Sequence, residues 1–189
     1  MRRSTGRGDG GAELRDGTGG RARCPGRLAR GAPAEVRRWW GELTPSQQDH
    51  LVLVAPELVG SADGVPAQDR DRANRSLLAT DAATGVPGAQ AAAAALALAR
   101  DRVDPASGAP LPALLLTYDP GAFGGDGAAA VVYGDPDAAD HVAVLVPGFG
   151  SDLAGLAGLG RDALTLQQAA SGSPYTTAAA PSPPKAPGS

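Results

Sequence analysis

The chain has 189 residues, 42% hydrophobic but only 4% aromatic, with 27 glycines, 17 prolines and a single cysteine, Cys24. One domain is the expectation from length, and a lone cysteine excludes the intramolecular disulfide framework of small secreted folds. The formal charge of −3 hides an asymmetry: residues 1–31 hold eight arginines against Asp9, Glu13 and Asp16 (+5), and the remainder holds nine basic and seventeen acidic side chains (−8).

Residues 1–31 are Gly- and Arg-rich, and residues 171–189 are rich in Ser, Pro and Ala. Both are too poor in large apolar side chains to offset their ordering entropy, so both are expected to be disordered tails. The arginine tail could meet nucleic acid electrostatically, but it lacks interleaved aromatics and any nucleic-acid-binding motif, so that partner is not expected. No run of eighteen apolar residues predicts a membrane span. Arg2 and Arg3 precede no apolar stretch of the kind a signal peptide needs, which makes the cytoplasm the expected location.

Residues 32–104 read as a helical segment. Val36, Trp39, Trp40 and Leu43 predict a helix over 33–43, begun by Pro33. Thr44, Pro45 and Gln47 make a capping box with a proline start. They open a second helix that runs to about Ala55 and presents Leu51, Val52, Leu53 and Val54. Residues 57–66 are a connection with a turn at Ala62-Asp63-Gly64. A charged helix is expected over 66–79, with Asp69, Arg70, Asp71, Arg72 and Arg75 as a solvated face. An alanine-rich helix follows over 88–103.

The pattern then changes to strands. Leu111–Tyr118, Ala128–Tyr133 and His141–Val146 are short, apolar and bounded by turns. The second and third alternate little and are expected to be buried on both faces. The connections are too short for crossover helices, so the second strand is expected antiparallel to the first and the third. A final helix over 151–170 would start at Ser151 as cap.

The candidate chemistry sits after the third strand. Pro147-Gly148-Phe149-Gly150 ends a buried-type strand in a glycine turn, a place where backbone N–H groups can hold a developing oxyanion. A plain strand-to-helix turn is the alternative. No G-x-S-x-G nucleophile elbow occurs anywhere in the chain. Neither His50 nor His141 is placed as the late base of a triad, and both are expected to be structural. Asp119, Asp126, Asp135, Asp137 and Asp140 cluster in two turns without calcium-loop spacing, and are expected to form the turns rather than bind metal. No motif for a cofactor is present.

Three separated pieces together resemble one family: Trp39-Trp40 with LTPSQQ, then DGVPAQDRDRANR from Asp63 to Arg75, then GDPDAADHVAVLVPGFGSDL from Gly134 to Leu153. This is the alpha/beta-hydrolase-like family of high-GC bacteria long catalogued as a domain of unknown function. The resemblance implies an α/β fold, with a helical segment (32–104) leading into the first three strands of a hydrolase sheet (105–170). It implies a serine-hydrolase-like activity on a small ester or amide, with Gly148, Phe149 and Gly150 as the oxyanion loop. Such proteins continue to a serine elbow, an acid and a histidine, which this chain lacks. The expectation is therefore an N-terminal portion, truncated before the nucleophile and catalytically incomplete. The competing expectation is that the helical segment binds a protein partner, without catalysis.

Overall fold

The first two helices pack through the residues that the periodicity marks. The structure, a computed structural model, describes residues 31–104, 107–148 and 151–171 together with Leu28; the expected tails lie almost wholly outside these. Helix α1 (Pro33–Glu42) buries Val36, Trp39 and Trp40, with the two indoles edge to face at 6.1 Å. Trp40 Nε1 donates to Asp69 Oδ2 at 2.9 Å, so the ring is both packed and hydrogen-bonded. Helix α2 (Pro45–Val54) opens on the full capping box: the Thr44 N–H donates to Gln47 Oε1 at 2.8 Å, and the Gln47 N–H donates to Thr44 Oγ1 at 3.3 Å. Four consecutive apolar residues end this helix, and only Leu51 and Val52 are buried; Leu53 and Val54 remain 76% and 54% exposed. Successive helical residues point about 100° apart, so one packed face cannot take all four.

The expected connection over 57–66 is instead partly helical. Pro56 starts α3 (Pro56–Ser61), whose Val59 is completely buried. Helix α4 follows (Ala67–Thr84), ending five residues later than expected. Its buried stripe is Ala67, Asp71, Asn74 and Leu78, spaced four, three and four apart. The expected solvated face holds for Arg72 and Arg75, which are exposed, but not for Asp71, which is 8% exposed; Asn74 beside it is 2% exposed. Helix α5 (Ala89–Ala97) is shorter than expected and buries Ala89, Ala92 and Ala95.

Strands β1 (Ala113–Asp119) and β2 (Ala128–Tyr133) form an antiparallel pair, with Leu114 opposite Val132 and a register shift between Leu115 and Thr117. Helix α6 (Leu156–Ser171) closes the chain's described part. The architecture is thus mixed helix and sheet, consistent with the α/β class, but with two strands rather than three among the described residues. His141–Val146 joins no ladder among the described residues, and Val142, Val144 and Val146 are 60%, 79% and 80% exposed. The expected two-faced burial fails for β2 as well, which is only half-buried.

The reason lies in what occupies the outer edge of β1. Asp71 Oδ1 accepts the Leu115 N–H at 2.7 Å, and Asn74 Nδ2 donates to the Leu115 carbonyl at 2.9 Å. Arg75 Nη2 donates to the Ala113 carbonyl at 2.6 Å, while its Nε pairs with the Asp71 carboxylate at 2.8 Å. Side chains of α4 therefore do the hydrogen bonding that a neighbouring strand would do. Asn74 also donates to the Gly60 carbonyl at 3.1 Å, tying α3 into the same cluster. The chain leaving β2 is drawn to this side too: Asp137 Oδ2 accepts the Ala67 N–H at 2.7 Å, and Oδ1 lies 3.5 Å from the Arg37 guanidinium.

Two substitutions test this arrangement by urea denaturation. Asp71→Ala leaves the buried Leu115 N–H unpaired and is expected to cost about 2–4 kcal/mol. Gly60→Ala would drive a Cβ into the Asn74 amide and is expected to cost about 1–3 kcal/mol. Wild-type midpoints for both would refute the edge-holding role.

Candidate functional site

Pro147 and Gly148, the described part of the glycine turn, stand at the end of an exposed arch. Asp137 anchors the start of the arch to α4, and Leu153 anchors its end. The Leu153 N–H donates to the Asp126 carbonyl at 3.1 Å. The Leu153 side chain is buried against Gly88 and Gly127, both at positive φ (84° and 79°), where any Cβ would collide with it. Between these anchors residues 141–144 and 146–148 are exposed and Leu145 is half-buried.

Gly148 is exposed, and its carbonyl accepts the Ser151 hydroxyl at 2.8 Å. Phe149 and Gly150, the other two residues of the expected oxyanion loop, lie outside the described residues. Ser151 is not the helix cap that the sequence suggests. Asp152 takes that place, its Oδ1 accepting the Gly155 N–H at 3.3 Å ahead of the 3₁₀ turn Leu153–Gly155. A carboxylate at a helix start gains from the helix dipole as well as from the hydrogen bond, which a hydroxyl does not match.

The clustered aspartates divide in role. Asp119 and Asp135 close short turns through the Gly121 and Asp137 N–H groups, each at 3.0 Å. Asp137 instead spans seventy positions to cap α4, which local turn chemistry does not reveal. Among the described residues no three His, Cys, Asp or Glu side chains converge to hold a metal ion, and no helix is long and apolar enough to cross a membrane. His50 and His141 are both exposed, one within α2 and one opening the arch. An open cleft of about 360 Å³ lies elsewhere, lined by Arg75, Leu78, Leu96, Arg100 and Leu111 among others. Gly148 is not among its lining residues.

The side chains that reasoning from sequence missed are Asp71, Asn74 and Tyr118. The first two carry a signal, since they fall at the buried spacing of α4. Tyr118 is 5% exposed, and its hydroxyl, near Asp81, has no well-formed hydrogen bond among the described residues. Burial, reinforced by the Asp81 carboxylate, pushes this phenol up to about 12. Tyr133 is raised as well, by burial, against a lowering from Arg102; its hydroxyl donates to the Ala95 carbonyl at 2.8 Å.

Comparison with known proteins bears on the same region. Residues 123–186 match the alpha/beta hydrolase family. The matched segment holds β2, the exposed arch with its glycine turn, and α6. Two uncharacterized proteins of Mycobacterium tuberculosis, from strains CDC 1551 / Oshkosh and ATCC 25618 / H37Rv, are each 35% identical to this chain over 154 residues. The match takes in 66% of this chain and 23% of each relative, so the chain spans about a quarter of the relatives' length. No solved structure matches the chain.

The Tyr118 environment gives a pH prediction. The folded state holds the phenol proton above its ordinary value near 10, so the stability linked to it is complete below that value and is lost as pH rises through about 12. Alkaline absorbance titration of the phenolates is expected to lose its step near 12 in Tyr118→Phe, while the raised Tyr133 step remains. An unchanged step near 12 in that variant would refute the assignment.

Proposed function

We propose that this chain supplies the opening part of an alpha/beta-hydrolase-like domain of the serine-hydrolase type, acting on a small ester or amide. In this reading residues 105–170 begin the sheet, and residues 32–104 form the helical segment beside it. The observation that carries the proposal is the family match over 123–186, which includes both the strand-to-turn sequence and the glycine turn. Gly148, Phe149 and Gly150 are the proposed oxyanion loop, with the Phe149 N–H as donor. The hydrogen bond from Ser151 to the Gly148 carbonyl supports this role. Such a donor acts only where a nucleophile attacks the carbonyl it polarises. The 189 residues contain no G-x-S-x-G, so this chain by itself is proposed to form no acyl-enzyme.

Fluorophosphonate labelling and p-nitrophenyl ester hydrolysis test the reading on this chain and on one of the longer mycobacterial relatives. The relative is expected to label and hydrolyse, and the 189-residue chain to do neither. Labelling of this chain at Ser151 would overturn the incomplete-site proposal. A relative that neither labels nor hydrolyses would count against the hydrolase reading itself.

A second reading assigns a protein partner to the helical segment, and the adjacent exposed Leu53 and Val54 at the end of α2 favour it. A partner that is lost on Leu53→Asp, with thermal stability unchanged, would support that role.

A further inference from the structure

Two stretches of backbone lack the partners their chemistry asks for. The first is β2. Leu115 turns its N–H and carbonyl toward α4, so its neighbour Leu114 pairs with Val132 across the ladder. Alternation along β2 then turns Ala129, Val131 and Tyr133 outward, and no backbone hydrogen bond meets that edge among the described residues. The second is His141–Val146, six residues with exposed valines at every second position and no ladder. β2 is also six residues long.

These two stretches are held apart within one chain. The clamp of Asp137 on the Ala67 N–H draws the chain toward α4, on the far side of β1 from the open edge. We propose that they meet between two copies: His141–Val146 of one copy adds as a strand to the free edge of β2 of a second copy, and reciprocally. A sheet edge is a template for strand addition, and a reciprocal exchange closes as a two-fold dimer. The occupant is argued from matched length and from the presence of one donor and one acceptor stretch on every copy. The inference does not rest on the hydrolase reading.

Sedimentation of the whole chain over a range of concentrations is the first measurement, with Cys24→Ser removing the native thiol. A monomer–dimer equilibrium is expected. Val144→Pro removes a backbone N–H from an exposed residue; it is expected to abolish the dimer and leave the melting temperature of the dilute, monomeric chain unchanged. The second measurement mixes Ala130→Cys and Val144→Cys chains. Both positions are exposed and lie near the middle of their stretches, so pairing in either direction brings them close. Crosslinking between the two variants is expected to exceed that of either alone. A chain that stays monomeric overturns the proposal and leaves a strand from a longer chain as the occupant. A dimer that persists in Val144→Pro overturns it, as does growth into open higher oligomers.

Discussion

The outer edge of β1 is the constraint from which the rest follows. A two-stranded ribbon alone is marginal in water, and here each strand has only one strand neighbour. On β1 the missing neighbour is replaced by three side chains of α4, which satisfy the Leu115 N–H, the Leu115 carbonyl and the Ala113 carbonyl. Leaving one such buried group unpaired costs about 1–3 kcal/mol. The arrangement makes demands in turn. Asp71 must face the strand, so α4 must turn a carboxylate inward beside Arg75. Asn74 must also reach Gly60, so α3 can carry no side chain there. Helix, strand and the short α3 are thereby locked in one register.

This lock also sets the course of the chain beyond β2. Because α4 occupies the edge of β1, its N-terminal N–H groups lie near the exit of the sheet, and Asp137 is caught there. The chain is caught again at Leu153, which fits only because Gly88 and Gly127 have no Cβ. The chain between residues 138 and 152 therefore runs as an arch between two fixed points, and most of its described residues are exposed.

Local chemistry was legible in the sequence where the structure depends on local hydrogen bonds. The Thr44–Gln47 box is an interaction between residues three apart, and it forms as read. The antiparallel relation of β1 and β2 follows from a connection too short to cross over. What failed was long-range. Asp71 looked solvated because its neighbours Arg70 and Arg72 are charged, yet its partner is Leu115, forty-four residues away. The spacing of Ala67, Asp71, Asn74 and Leu78 held the signal, but a polar residue on a buried stripe gives no hint of which backbone it serves. His141–Val146 has the composition of a strand, but a strand exists only with a partner, and composition cannot supply one. Leu53 and Val54 failed for a geometric reason, since four adjacent apolar residues leave the buried face undetermined.

These points converge on the glycine turn. An oxyanion donor works by being fixed before the charge develops. Gly148 is held by the Ser151 hydroxyl on one side, and Leu153 pins the chain a few residues later. On the other side lies the extended stretch from His141 to Pro147, which no ladder holds among the described residues. A donor at this turn would therefore be anchored at one end only. Pairing of His141–Val146 with any strand would supply the second anchor, converting a loose arch into a strand that ends at a fixed turn. On the proposed oxyanion reading, burial of Val142, Val144 and Val146 and fixing of the chain at Gly148 would then be one event.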